Sequence, residues 1–110
     1  MNKIPMSAAA SALLRALLNR AEVSRDRILL TKFHSIDWQS LTFVGERHEI
    51  ELRIPGPASD QVLRQLCDGL EDAEICIPGQ TVADIAVRGE PVVAPDGSTT
   101  VAIEALTIGD

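Results

Sequence analysis

The chain has 110 residues, the usual size of one domain, and its 45% hydrophobic and 24% charged residues predict a folded core rather than disorder. Aromatic residues make up only 3% and the net charge is -6, which argues against nucleic-acid binding, because single strands stack on aromatic rings and duplexes need basic side chains. No apolar run approaches the roughly 18 residues that cross a bilayer, so we expect one domain over residues 1–110 with no membrane partner.

The charge is unevenly distributed along the chain. Residues 1–33 hold six basic and two acidic residues, whereas residues 34–110 hold four basic and fourteen acidic residues. Opposite charges on two parts of a chain favour docking of one part on the other, within a subunit or between two copies.

The N-terminal segment predicts an amphipathic helix over residues 5–23, within an N-terminal unit of residues 1–23. Its apolar residues follow the spacing of one helical face: Ala10, Leu13, Leu14, Leu17, Leu18 and Ala21. A leucine stripe of this length must be covered, either by its own domain or by a second copy. The four leucines of this stripe are therefore candidate dimer-interface residues: Leu13, Leu14, Leu17 and Leu18.

The next segments predict two strands and a helix. Residues 24–35 are assigned to neither strand nor helix, because their apolar run is too short to show the period of either. Residues 38–44 and 48–54 are rich in strand-forming types and predict a hairpin that turns at residues 45–47. Ser59 is expected to cap a helix that runs to Leu70.

Three further strands are predicted at residues 73–77, at residues 81–87 with an extension towards Val93, and at residues 99–108. Turn-forming Pro and Gly residues separate them. The order indicates an α+β core over residues 36–108, with an antiparallel sheet of four to five strands and two helices, for which a ferredoxin-like plait is one candidate architecture.

The last two strands predict apolar residues on both faces of the sheet. Six residues are expected to face the helices: Ala83, Ile85, Val87, Val101, Ile103 and Ala105. The other face would still hold Val82, Ala86, Ala102, Leu106 and Ile108. A face this apolar is normally covered, and we expect homodimerisation, with cover from the same subunit as the alternative, so Leu106 and Ile108 join the candidate interface.

Residues that can bind metal or act as nucleophiles show no organised pattern. His34, His48, Cys67 and Cys76 lack any pair at ligand spacing, and the glycines do not form a phosphate-binding loop. We therefore expect no metal and no cofactor. Two distant cysteines indicate a reducing compartment, the cytoplasm.

Four residues are candidate ligand or interface positions: Asp84, Arg88, Trp38 and His48. Asp84 is unusual inside a small-apolar strand and is expected to pair with Arg88 or Arg53. Trp38 is the only tryptophan, a residue type enriched at interfaces. Alternation places His48 on the buried face of its strand.

The segments 40–48 (SLTFVGERH) and 82–87 (VADIAV) resemble small uncharacterised bacterial proteins of proteobacterial type. The likeness covers residues 36–108. It implies a bacterial, cytoplasmic origin and brings no catalytic residues with it.

Three functions follow as hypotheses. The first is a non-enzymatic interaction or accessory domain acting as a homodimer, with a protein partner or a small ligand as further binding options. The second is a small-molecule-binding regulatory module with its effector near Asp84 or Arg88. The third is an acid–base enzyme, which needs a pocket that gathers at least two of Glu49, Glu51, Asp84, His48 and His34.

Overall fold

A computed structural model describes residues 6–21 and 27–109. Its helices are α1 (Ala8–Arg20) and α2 (Ser59–Cys67), followed by a 3₁₀ turn (Leu70–Asp72). The strands are β1 (Leu29–Gln39), β2 (Val44–Ile54), β3 (Cys76–Ile77), β4 (Gln80–Val93) and β5 (Thr99–Gly109). The strands form one antiparallel sheet in the order β1-β2-β5-β4-β3.

This architecture confirms the predicted α+β class, with two helices and a five-stranded antiparallel sheet. Both helices lie on one face of the sheet, where their apolar side chains share a core with β2, β4 and β5. The ferredoxin-like plait is not confirmed, since its elements run β-α-β-β-α-β whereas the described elements run α-β-β-α-β-β-β.

Helix α1 packs on the sheet of the same chain. It begins after Ser7, whose hydroxyl accepts a hydrogen bond from the Ala10 amide at 3.1 Å and donates one to Glu46 at 2.7 Å. Leu13 and Leu17 are fully buried in the core. The helix therefore covers its leucine stripe within the subunit; the predicted ends at residues 5 and 23 lie outside the described residues.

The first hairpin turns at residues 40–43, so the predicted turn at residues 45–47 is wrong. Ser40 N–H donates to the Phe43 carbonyl at 2.9 Å, and the Ser40 hydroxyl accepts from Phe43 N–H at 3.1 Å. Gly45 lies inside β2, paired with Trp38 and Ile108, and the Thr107 carbonyl approaches it so closely that a Cβ there would be 1.9 Å from the oxygen. The segment left open by the sequence is strand from Leu29 onwards, and its residues 24–26 lie outside the described residues.

Helix α2 begins at Ser59, whereas a cap at Ser59 would make the next residue the first helical one. Ala58 is the N-cap, in the left-handed conformation, and Ser59 is the first helical residue. The Ser59 hydroxyl instead donates to the Gly97 carbonyl at 2.7 Å and bonds to the Thr99 hydroxyl at 2.8 Å. The prediction that Ser59 is the cap is wrong, because this hydroxyl ties α2 to the β4–β5 turn.

The end of α2 and the third predicted strand are both shorter than expected. The helix stops at Cys67, and the Arg20 guanidinium donates to the carbonyls of Leu66 and Asp68. Strand pairing in the region of residues 73–77 is limited to Cys76 and Ile77. The intervening residues turn instead, beginning at Gly69 in the left-handed conformation.

Strand β4 has two irregularities that set which residues face the helices. The register shifts between Val82 and Asp84, so Val82 faces the helices and Ala83 is exposed. The prediction had these two residues the other way round, because strict alternation does not allow for a bulge. A second shift lies between Arg88 and Val92, next to Pro91.

Candidate interaction surface

The face of the sheet opposite the helices, called here the open face, is not covered by any described element. Paired residues of neighbouring strands lie side by side on it. From the hairpin end, its first row is Trp38–Gly45–Ile108–Thr81 and its second is Ile36–Arg47–Leu106–Asp84. The next rows are His34–Glu49–Glu104–Ala86 and Lys32–Glu51–Ala102–Arg88.

The hairpin end of the open face is apolar. Ile36 is 46% exposed, and Trp38, Leu106 and Ile108 are half-buried. Leu41, Phe43 and Val44 are exposed in or beside the adjoining turn. Val44 has the parity of the helix-covered face; the other six residues are referred to below as the apolar end. Exposed apolar side chains grouped in this way are typical of interaction sites.

The middle of the open face is charged and centred on Glu104. One carboxylate oxygen of Glu104 accepts from Arg47 at 2.6 Å and from Arg88 at 2.7 Å. Hydrogen bonding from Arg88, and then from Arg47, holds the pKa of Glu104 below its ordinary value. The strand residues of this face carry equal numbers of basic and acidic groups: Lys32, Arg47, Arg53 and Arg88 against Glu49, Glu51, Asp84 and Glu104.

A cleft of about 200 Å³ lies in this charged region. Its polar lining consists of Lys32, Glu49, Glu51, Arg88 and Glu104. The two carboxylates considered for acid–base chemistry, Glu49 and Glu51, therefore open into one cleft. The cleft offers cations and carboxylates together, which suits a small ligand that carries both charges.

The candidates Asp84, Arg88 and Trp38 lie on the open face, but the predicted ion pair of Asp84 is wrong. Arg88 bonds to Glu104, and Arg53 bonds to Asp96 at 2.6 Å. Asp84 is exposed opposite Leu106 and acts on Arg88 only through its longer-range charge. Trp38 is half-buried beside Gly45.

His48 lies on the other face and is fully buried beneath the helices. Its Nδ1 is 2.7 Å from the Ser35 hydroxyl and its Nε2 is 2.8 Å from the Thr107 hydroxyl. Burial lowers the pKa of His48, so the neutral ring is favoured. Both ring nitrogens are occupied by structural hydrogen bonds, and this residue does not reach the open face.

The candidate interface leucines are separated by the fold. Leu13 and Leu17 lie in the subunit core. Leu14 and Leu18 are half-buried and pack against that core. Leu106 and Ile108 lie on the opposite side of the molecule, in the apolar end.

Strand β1 forms one edge of the sheet and is paired on one side only. The Ser40–Phe43 hydrogen bond shows which residues of the hairpin form hydrogen-bonded pairs, because bonded and unbonded pairs alternate along two antiparallel strands. Since Ser40 belongs to a bonded pair, the even-numbered residues of β1 bond to β2. The odd-numbered residues beyond the bulge direct their N–H and C=O groups outwards: Phe33, Ser35, Asp37 and Gln39. No described residue bonds to these outward groups.

Sequence reasoning missed Arg47 and Glu104. Glu104 had a detectable signal, since it is a charged residue within the apolar strand 101–108 in the same way as Asp84 within its own strand. Its partners depend on the strand order, which places Arg47 and Arg88 on either side of it.

Within the described residues, no helix is long and apolar enough to cross a membrane, and no three metal-binding side chains come together. The chain matches no model of a known protein family and is similar to no curated protein.

Proposed function

We propose that this protein is a non-enzymatic interaction domain that acts as a homodimer. The observation that carries the proposal is the one-sided cover of the sheet, which leaves the apolar end and the neighbouring β1 edge exposed to solvent. Exposed apolar area beside an unpaired strand is a feature that folded domains normally cover with a partner.

The charge balance of the open face supports a second copy as the partner. The chain carries a net charge of -6, yet the residues that the strand register places on this face are neutral in sum. Adding Asp96, which bonds to Arg53, brings the sum only to -1. Two copies can therefore approach through this side with less repulsion than through the rest of the surface.

Cys67 and Cys76 are both free thiols, which is typical of a reducing compartment. Together with the resemblance to bacterial proteins, this supports the bacterial cytoplasm as the location of the protein.

Light scattering of the full chain over a wide range of concentrations tests the proposal. We expect the mass of two chains, and we expect Trp38→Ala to raise the dissociation constant by about thirtyfold, the effect of removing an interfacial tryptophan. Trp38 is the only tryptophan, so its fluorescence reports association directly in the unmodified protein.

Leu14→Ala is the matched control, since Leu14 is half-buried on α1, on the face of the sheet opposite the open face. It should leave the mass of the protein unchanged. Deletion of the N-terminal helix is not a useful control, because it removes Leu13 and Leu17 from the core. A single-chain mass at every concentration would refute the proposal.

A small-molecule-binding module is the second candidate, and the charged cleft favours it. Lys32 and Arg88 can bind a carboxylate, while Glu49 and Glu51 can bind an ammonium group. Free amino acids and dipeptides are suitable test compounds in a thermal-shift assay, because a ligand at about 100 times its dissociation constant stabilises the fold by roughly 2.7 kcal/mol. If Glu49→Gln and Arg88→Gln do not reduce the shift, the ligand binds elsewhere.

The acid–base enzyme remains the third hypothesis. Its support is limited to the shared position of Glu49 and Glu51 in the cleft, so we do not assign a reaction.

A further inference from the structure

We propose that two copies join edge to edge, by antiparallel pairing of β1 with β1 of the second copy around Ile36. This inference rests on the proposed homodimer and specifies its interface. It would extend each five-stranded sheet into one continuous sheet of both subunits.

The β1 edge of the sheet is suited to pairing with a further strand, whereas the opposite edge is not. Beyond the bulge between Leu30 and Lys32, the segment 33–39 pairs regularly with β2 and contains no proline or further bulge. The opposite edge has only the two residues of β3, and β4 beyond it carries two register shifts and Pro91. Short strands, bulges and prolines are the devices that prevent edge pairing, and they are concentrated on that side.

The outward backbone groups determine how two segments would align. Ile36 is the midpoint of segment 33–39, so a two-fold axis at Ile36 pairs every outward residue with another outward residue. Phe33 of each copy would lie opposite Gln39 of the other copy, and Ser35 of each copy would lie opposite Asp37 of the other. Each of these four pairs would form two hydrogen bonds. Every outward N–H and C=O of the segment then has a partner.

The side chains are compatible with this alignment. Ile36 would meet Ile36 of the second copy, and His34 would meet Trp38, all on the open face. Asp37 is the only charged residue of the segment, and it would lie opposite Ser35 rather than opposite itself. No like charges are opposed, which is a requirement for stable cross-strand pairs.

Edge pairing also avoids the cost of packing two open faces together. Face-to-face packing would bury the charged groups around Glu104, and removal of these from water is costly. Edge pairing leaves the charged middle in water. The contact is small, so we expect a weak dimer whose dissociation constant lies in the micromolar range.

Cysteine cross-linking tests the alignment. Ile36→Cys would place two cysteines in a pair that is not hydrogen-bonded, with Cα atoms about 4.5 Å apart, within the range that a disulfide spans. Lys32→Cys lies on the same strand and face, but its two copies would be about 27 Å apart along the paired strands. Both variants carry Cys76→Ser, because Cys76 is exposed; burial raises the pKa of Cys67 to about 11, so its thiol reacts slowly.

Under mild oxidation we expect a disulfide-linked dimer of Ile36→Cys and none of Lys32→Cys. Equal cross-linking of both variants indicates random collision and overturns edge pairing. If the unmodified chain is a dimer but Ile36→Cys does not cross-link, edge pairing is wrong while the homodimer stands. A single-chain mass at all concentrations overturns both proposals.

A backbone variant gives a second, independent measurement. Asp37→Pro removes an outward N–H that makes no bond within the subunit, whereas Asp37→Ser keeps it. We expect the proline variant to raise the dimer dissociation constant by about tenfold to a hundredfold, for one lost hydrogen bond from each copy. Circular dichroism verifies that both variants fold, and equal dimer stability of the two folded variants would contradict edge pairing.

Discussion

Replacement of Gly45 by alanine tests the close approach of β2 and β5 at the apolar end. The new Cβ would lie 1.9 Å from the Thr107 carbonyl oxygen, whereas ordinary contacts begin at 3.4 Å. Because the opposing atom belongs to the backbone, the strands must separate locally from their spacing of about 4.8 Å. Overpacking costs about 1–3 kcal/mol, and one lengthened hydrogen bond adds about 0.5–1.5 kcal/mol, so we expect a loss of about 2–4 kcal/mol.

Equilibrium unfolding in urea, followed by far-ultraviolet circular dichroism, measures this loss. Gly109→Ala is the matched control, since Gly109 is also a strand glycine and a Cβ there would have neighbours only at 3.6 Å or more. We expect its free energy of unfolding to change by less than about 0.5 kcal/mol, as at an unconstrained surface site. Equal stabilities of Gly45→Ala and the unmodified protein would show that β2 and β5 are not in close contact here.

Three further predictions concern the stability of the fold, measured as the free energy of unfolding. The pKa of His48 is lowered by burial, so its stabilising contribution should be complete above pH ~6.5 and decrease as the pH falls below that value. His48→Gln should make the free energy of unfolding depend less on pH above pH ~5. An unchanged pH dependence in this variant would contradict the prediction. Leu17→Ala should cost about 2–5 kcal/mol because Leu17 is fully buried, and Leu14→Ala should cost clearly less; equal losses would mean that α1 is oriented differently. Arg20→Gln should cost about 1–3 kcal/mol through the lost bonds to the end of α2, with Arg20→Lys intermediate; an unaffected Arg20→Gln would show that this contact does not stabilise α2.

Sequence periodicity was sufficient for the elements whose burial follows a simple repeat. The leucine stripe of α1 and the alternation of β5 each have one buried face, which the spacing of apolar residues reveals directly. The α+β class followed from the order of these elements.

Features that depend on distant contacts could not be predicted in the same way. Residues 45–47 have the residue types of a turn, but Gly45 is paired with Trp38 and Ile108 in the middle of the sheet. Ser59 has the residue type of a cap but bonds to Gly97 and Thr99, which are distant in sequence. The contacts of Glu104 require the strand order, and local sequence does not contain that information.

The difference between the two sheet edges limits the size of any assembly built through strand pairing. A contact that uses β1 of both copies is isologous and closes after one two-fold rotation. Growth into a fibre would need a second free edge on each subunit, and there the bulges of β4 and Pro91 interrupt the ladder. A protein with this sheet can therefore keep one strand open for association without forming open-ended polymers.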